Sequence, residues 1–137
     1  AGTEEQSDAV MSGNDGPASY VIRSLSERQL AGDVVVVGQD ADLEACQRIV
    51  EGTQAMTVFK PINDLAKEAA ECTVKLAKGE QITGDLLDAS DVKENEDGQK
   101  VPYYGLEPVA VTKENMDSVI ISSGFHSREE VYLNVEN

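Results

Sequence analysis

Tryptophan is absent from this chain of 137 residues, aromatics make up 4 %, and histidine occurs once. Aliphatic side chains and alanine must therefore fill the core, and a hydrophobic content of 40 % is enough for one domain or a large part of one. Positive charge is scarce as well: 11 Lys and Arg stand against 26 Asp and Glu, a net charge of -15. Such a surface repels nucleic acid and anionic lipid, because neutralising phosphates needs clustered Lys and Arg. A nucleic-acid partner is thereby excluded. No apolar run approaches the roughly 20 residues that span a bilayer. The opening AGTEEQSDAV has neither a basic n-region nor an apolar h-region, which leaves a cytosolic protein or one whose leader has been removed or lies outside this chain.

Chemical motifs are equally sparse. The two cysteines, Cys46 and Cys72, lie 26 residues apart inside helical patterns. That spacing fits neither a metal site nor a disulfide framework, and both are expected to be small buried residues. His126 stands far in sequence from either thiol, and buried helical thiols are poor nucleophiles. There is no GxGxxG, P-loop, HExxH or GxSxG, so no cofactor and no enzyme activity are expected. The acidic run Glu94-Asn95-Glu96-Asp97 lacks EF-hand spacing and reads as a solvated loop.

What is present is an alternation of strands and helices. Ser7–Ser12 is a short apolar run followed by the turn text GNDGP. Pro17 is placed to start a helix carrying Tyr20, Val21, Ile22, Leu25 and Leu30 on one stripe, with Gly32 as its stop. Asp33–Val37 is β-branched and uniformly apolar, the pattern of a parallel strand covered on both faces. Asp40 or Asp42 is available to cap a helix with Leu43, Cys46, Ile49 and Val50 on its face, ending at Gly52. Thr53–Lys60 is a further strand. Pro61 begins a long helix to about Lys78, with Ile62, Leu65, Ala69, Cys72, Val74 and Leu76 expected mostly inward. The first 80 residues thus predict an α/β fold, a parallel sheet flanked by helices with right-handed crossovers. Further on, Asp97-Gly98 signals a hairpin, and Val101–Thr112 is extended with prolines. Lys113–Ser123 reads as helical with Thr112 as N-cap, and a short helix is expected at Ser127–Glu130.

In an open α/β sheet, ligands bind beyond the carboxyl ends of the strands. Asn14, Asp40 and Lys60 follow the first, second and third strands, with spacings of 26 and 20 residues. An amide, a carboxylate and an ammonium on one rim suit a neutral polyhydroxylated ligand better than a phosphate. Each also has a plainer reading: Asp40 as an N-cap, Asn14 as the holder of a tight turn, Lys60 as a solvated lysine.

The pieces DAVMSGNDG, VVVVGQDADLEACQRIVEGTQAMTVFKPINDLAKEAAECTVKLAKGE and VPYYGLEPVAVTKENMDSVIISSGFHSREEV resemble the C-terminal part of periplasmic sugar-binding proteins of ABC transporters. The resemblance is closest to the D-xylose-binding group of the type I periplasmic-binding-protein superfamily. Phe59 replaces the family's usual tyrosine, and GNDGPASY departs from the more usual NDATAGG-like text. The resemblance implies one Rossmann-like lobe of a two-lobed clamp, with Asn14, Asp40 and Lys60 as sugar-contacting positions. It implies a sugar-binding lobe at 1–53 and 88–137, and a strand and helix at 54–87 that in the family cross to the N-terminal lobe. The family protein is about twice this length and its first lobe is missing here. The resemblance therefore implies a C-terminal fragment that awaits that lobe or a second copy, as in a domain-swapped dimer. The implied partners of the intact protein are a xylose-like monosaccharide and an ABC permease. The implied location is extracytoplasmic, in the periplasm or lipid-anchored at the outer membrane face. A sensor signalling to a histidine kinase or chemoreceptor is the alternative.

Overall fold

The computed structural model describes residues 8–80, 82, 92–102 and 106–135. It divides into two compact units, one of residues 1–60 and 108–137, the other of residues 61–107.

In the first unit, β1 (Ala9–Met11) leads to α1 (Asp15–Ser26), β2 (Val35–Val37), α2 (Leu43–Glu51) and β3 (Thr57–Phe59). β1 and β2 are parallel, with Val10 opposite Val36. A parallel bridge of Val37 with Met56 joins β2 to β3, and the Gly38 N–H donates to the Met56 carbonyl at 3.0 Å. The last strand of this unit, Val109–Val111, pairs antiparallel with β3, Thr57 opposite Val111. These parallel strands and their crossover helices match the α/β expectation.

The core lies on one side of this sheet. α1 sets Ala18 and Ile22 on Val36, and α2 sets Cys46, Ile49 and Val50 with Phe59, Val111, Met116, Ile120 and Val131. Both helices are crossovers between successive parallel strands running across the sheet in one direction. Their right-handedness puts both on the same face. The opposite face carries Met11, 87 % exposed, and Val35, 48 % exposed. This corrects the expectation that Asp33–Val37 is covered on both sides.

Helix boundaries also differ. α1 begins at Asp15, two residues before Pro17. Proline is tolerated there because the first-turn N–H groups have no intrahelical acceptor. The helix ends at Ser26, and Tyr20 points to solvent. α2 ends as expected at Gly52, in the left-handed conformation (φ 96°). In place of a regular helix over 113–123 there is a turn and then a π-helical turn, Asp117–Ile121. The Asn115 side chain bonds the Thr112 N–H and the Ala110 carbonyl, both at 2.8 Å, and holds the chain in a turn there. The Thr112 hydroxyl goes to Glu114 rather than capping a helix. The terminal helix, Arg128–Val131, forms as expected, with Ser127 and Glu130 in a capping box.

The second unit holds α3 (Ile62–Ala77) and an antiparallel hairpin of β4 (Val92–Glu94) with β5 (Lys100–Pro102). We number the earlier-described Val109–Val111 as β6 and Arg128–Val131 as α4. The hairpin turns at Asp97-Gly98 as expected, with the Asn95 Oδ1 accepting from the Gln99 N–H at 2.8 Å. α3 has the expected span but buries none of its residues. Ile62, Leu65, Val74 and Leu76 are each more than half exposed, and Cys72 is half-buried. The expectation of an inward face and a buried Cys72 is thereby corrected. The apolar stripe exists, but no described residue covers it. The border between the two units falls at Lys60–Pro61 and Glu107–Pro108. The reason is that β3 is hydrogen-bonded within the first unit to both β2 and β6. Residues 83–91 and Tyr103–Gly105 lie outside the described residues.

Candidate functional site

The three parallel strands end along one edge. Beyond β1, the Asp15 N–H donates to the Gln39 carbonyl at 2.8 Å, so the turn carrying Asn14 is tied to the loop carrying Asp40. Beyond β2, the Asp40 N–H donates to the Val58 carbonyl at 2.9 Å. Lys60 follows β3, and its Nζ meets Asp40 Oδ1 at 2.6 Å. Asp40 and Lys60 are thus brought into direct contact, and Asn14 stands on the neighbouring strand end.

The plainer readings of these residues can be tested against this geometry. Asp42, not Asp40, occupies the N-cap position of α2, and its side chain makes no cap bond. The Asp40 carboxylate is engaged with Lys60 instead. Asn14 precedes α1 in extended backbone (φ -157°), so no left-handed turn explains it, and its side chain makes no cap bond. Lys60 is not a freely solvated amine. The pair is partly exposed, 48 % for the Lys60 side chain and 35 % for Asp40. An ion pair so exposed stabilises the fold by only about 0–1 kcal/mol. Hydroxyl groups of a ligand can therefore share both partners at little cost to the fold.

Beneath this edge lies a polar network. Asp15 is 1 % exposed. Its Oδ1 accepts from Gln54 Nε2 at 2.9 Å, and its Oδ2 accepts from the Thr57 hydroxyl at 2.7 Å and the Asp42 N–H at 3.1 Å. Arg48 Nε in turn donates to Gln54 Oε1 at 3.0 Å. A buried carboxylate is tolerable when its lone pairs are filled in this way, and its place at the start of α1 adds the helix dipole. Asp40 and Ala41 both have positive φ, 103° and 54°. Such backbone costs of order 1–3 kcal/mol per residue outside glycine and persists where surroundings hold it.

Charge crowds this region. The carboxyl of Asp42 is raised above its usual range by partial desolvation first, then by the negative charges of Asp15 and Asp40. Burial, and then Asp15 and Asp42, push the Cys46 thiol up to about 12, so it is no nucleophile. His126 is engaged as well: its Nε2–H donates to the Ala41 carbonyl at 2.8 Å. Among the described residues no cluster of His, Cys, Asp and Glu is placed to hold a metal ion.

Residues 2–81 match the family described as the periplasmic binding protein domain. The chain belongs to this family. It is 45 % identical over 125 residues to the D-xylose-binding periplasmic protein of Haemophilus influenzae, an alignment covering 91 % of this chain and 36 % of that protein. To the D-xylose-binding periplasmic protein of Escherichia coli it is 41 % identical over 124 residues, covering 90 % and 36 %. A solved carbohydrate transporter solute-binding protein from Chloroflexus aurantiacus, in complex with D-glucose, superposes with a TM-score of 0.73 at 29 % identity. That match covers 89 % of this chain and 34 % of that one. The chain therefore spans about a third of the length of the relatives it matches, not the half that was expected. The fold is that of type I periplasmic binding proteins.

Sequence reasoning missed Asp15, Gln54, Thr57 and the supporting role of His126. Asp15 lay inside the turn text GNDGP and read as one more polar loop residue. Its burial is set by partners 39 and 42 positions away, for which the sequence carried no local signal.

Proposed function

We propose that this chain supplies one side of a monosaccharide-binding cleft in an extracytoplasmic solute-binding protein serving ABC-transporter uptake, with a xylose-like sugar as ligand. The observation that carries this reading is the Asp40–Lys60 pair at the ends of adjacent parallel strands, with Asn14 on the next strand end. A carboxylate accepts from vicinal hydroxyls, an ammonium donates to a ring or hydroxyl oxygen, and an amide does both. Named relatives that bind D-xylose, and a structural neighbour that holds D-glucose, support the choice of ligand class. The reading is binding rather than catalysis: the Cys46 thiol and the His126 ring nitrogen both donate to the Ala41 carbonyl within the fold.

A sugar gripped from one side keeps much of its hydration, so the second wall of the cleft belongs to this reading. That wall is the remaining part of a two-lobed protein or, failing that, a second copy of this chain. The exposed apolar stripe of α3 and the exposed Met11 and Val35 on the sheet face are surfaces that such a complement would cover. Closure of two lobes around the sugar would then be a population shift driven by contacts with both. Isothermal titration of the isolated chain with D-xylose and D-glucose tests the one-sided cleft. Binding is expected to be weaker than micromolar; micromolar affinity would overturn it.

A further inference from the structure

Four backbone groups from Asp40 to Asp42 are held by hydrogen bonds. The Asp40 N–H reaches the Val58 carbonyl at 2.9 Å, and the Ala41 N–H donates to Thr57 Oγ1 at 3.1 Å. The Ala41 carbonyl accepts from His126 Nε2 at 2.8 Å, and the Asp42 N–H donates to Asp15 Oδ2 at 3.1 Å. Two of these four bonds depend on Asp15. One does so directly, through the Asp42 amide. The other does so through Thr57, whose hydroxyl has a single proton. That proton is donated to Asp15 Oδ2 at 2.7 Å, which turns the oxygen lone pairs toward the Ala41 amide. Without an acceptor at residue 15 the hydroxyl is free to rotate and donate elsewhere, and the Ala41 amide loses its partner.

Asp15 also follows Asn14 directly, and its own N–H holds the Gln39 carbonyl at 2.8 Å. A single buried carboxylate thus joins the segment bearing Asn14, the turn bearing Asp40 and the strand that leads to Lys60. We infer that Asp15 is a positioning residue of the rim: acting through Thr57 and the Asp42 amide, it fixes the left-handed Asp40–Ala41 turn and so aims the Asp40 carboxylate. The inference rests on the reading that Asp40 meets the ligand. A carboxylate that merely filled the core would stabilise the whole unit without selecting this turn.

Amide hydrogen exchange by NMR on the full chain distinguishes the two roles. The variants are Asp15→Ala, which removes both acceptor oxygens, Thr57→Val, which removes the hydroxyl, and Thr57→Ser, which restores it. In Asp15→Ala the Ala41 and Asp42 amides are expected to exchange at least tenfold faster, and in Thr57→Val the Ala41 amide alone. The Ile49 and Val50 amides of α2 are expected to keep their rates. Thr57→Ser returns Ala41 to its original protection. Should Asp15→Ala not fold, Asp15→Leu, which fills the space without an acceptor, takes its place. Unchanged protection at Ala41 and Asp42 would overturn the inference, and so would equal acceleration of all four amides. None of these readouts uses sugar. If the exchange results come out as expected while D-xylose leaves Asp40 unperturbed, the clamp stands and the sugar reading fails.

Discussion

A Cβ on Gly38 would lie 2.2 Å from Asp15 Oδ1 and 3.1 Å from Gln54 Nε2. Both atoms are committed to each other in a buried network, so neither has anywhere cheap to go. Gly38→Ala is expected to destabilise the chain by about 1–3 kcal/mol through overpacking. Urea unfolding checks this: the midpoint falls while the slope stays the same. Asp42 gives a prediction of opposite sign. Its folded carboxyl titrates above the usual 3.8 because partial burial and the charges of Asp15 and Asp40 disfavour ionisation. A raised carboxyl favours folding when protonated, below the unfolded value, and that contribution is lost as pH rises through the folded value. At pH 7 the wild type lacks it. Asp42→Asn, uncharged at every pH, is therefore expected to unfold at a higher urea concentration than wild type at pH 7. The advantage vanishes below about pH 4. A stabilisation that persisted unchanged in acid would contradict this cause.

At the scale of elements, strand ends were legible and coverage was not. Short apolar runs bounded by turn residues announce strands and their ends, and β1, β2 and β3 fall where that pattern puts them. The same logic set Asn14, Asp40 and Lys60 on successive strand ends. It stayed silent on which faces find a partner, because crossover handedness acts on pairs of strands rather than on one apolar run. Hence Val35 is half exposed where two-sided burial was expected. α3 shows the same limit: periodicity says that a helix wants a cover, not that its own chain provides one. Leu65→Ala is accordingly expected to change stability by no more than about 0.5 kcal/mol. A buried leucine would cost about 2–5 kcal/mol. Thermal unfolding of the variant separates the two cases. The π-helical turn at Asp117–Ile121 was not legible, since it follows from Asn115 capturing the end of β6.

For the whole molecule, the balance of charge, the absence of chemical motifs and the family membership point the same way. A strongly acidic α/β chain offers a rim of amide, acid and amine tied to a buried polar network, and apolar faces that no described residue covers. On the proposed reading the strand ends take a small neutral ligand, and a single wall holds it only weakly. The most direct test is an NMR titration of the isotope-labelled chain with D-xylose up to high millimolar concentration. Shift changes confined to Asn14, Asp40, Lys60 and their immediate neighbours, and abolished by Asp40→Ala, are the predicted result. A saturating response that leaves these three signals in place, or maps to another surface, would contradict it.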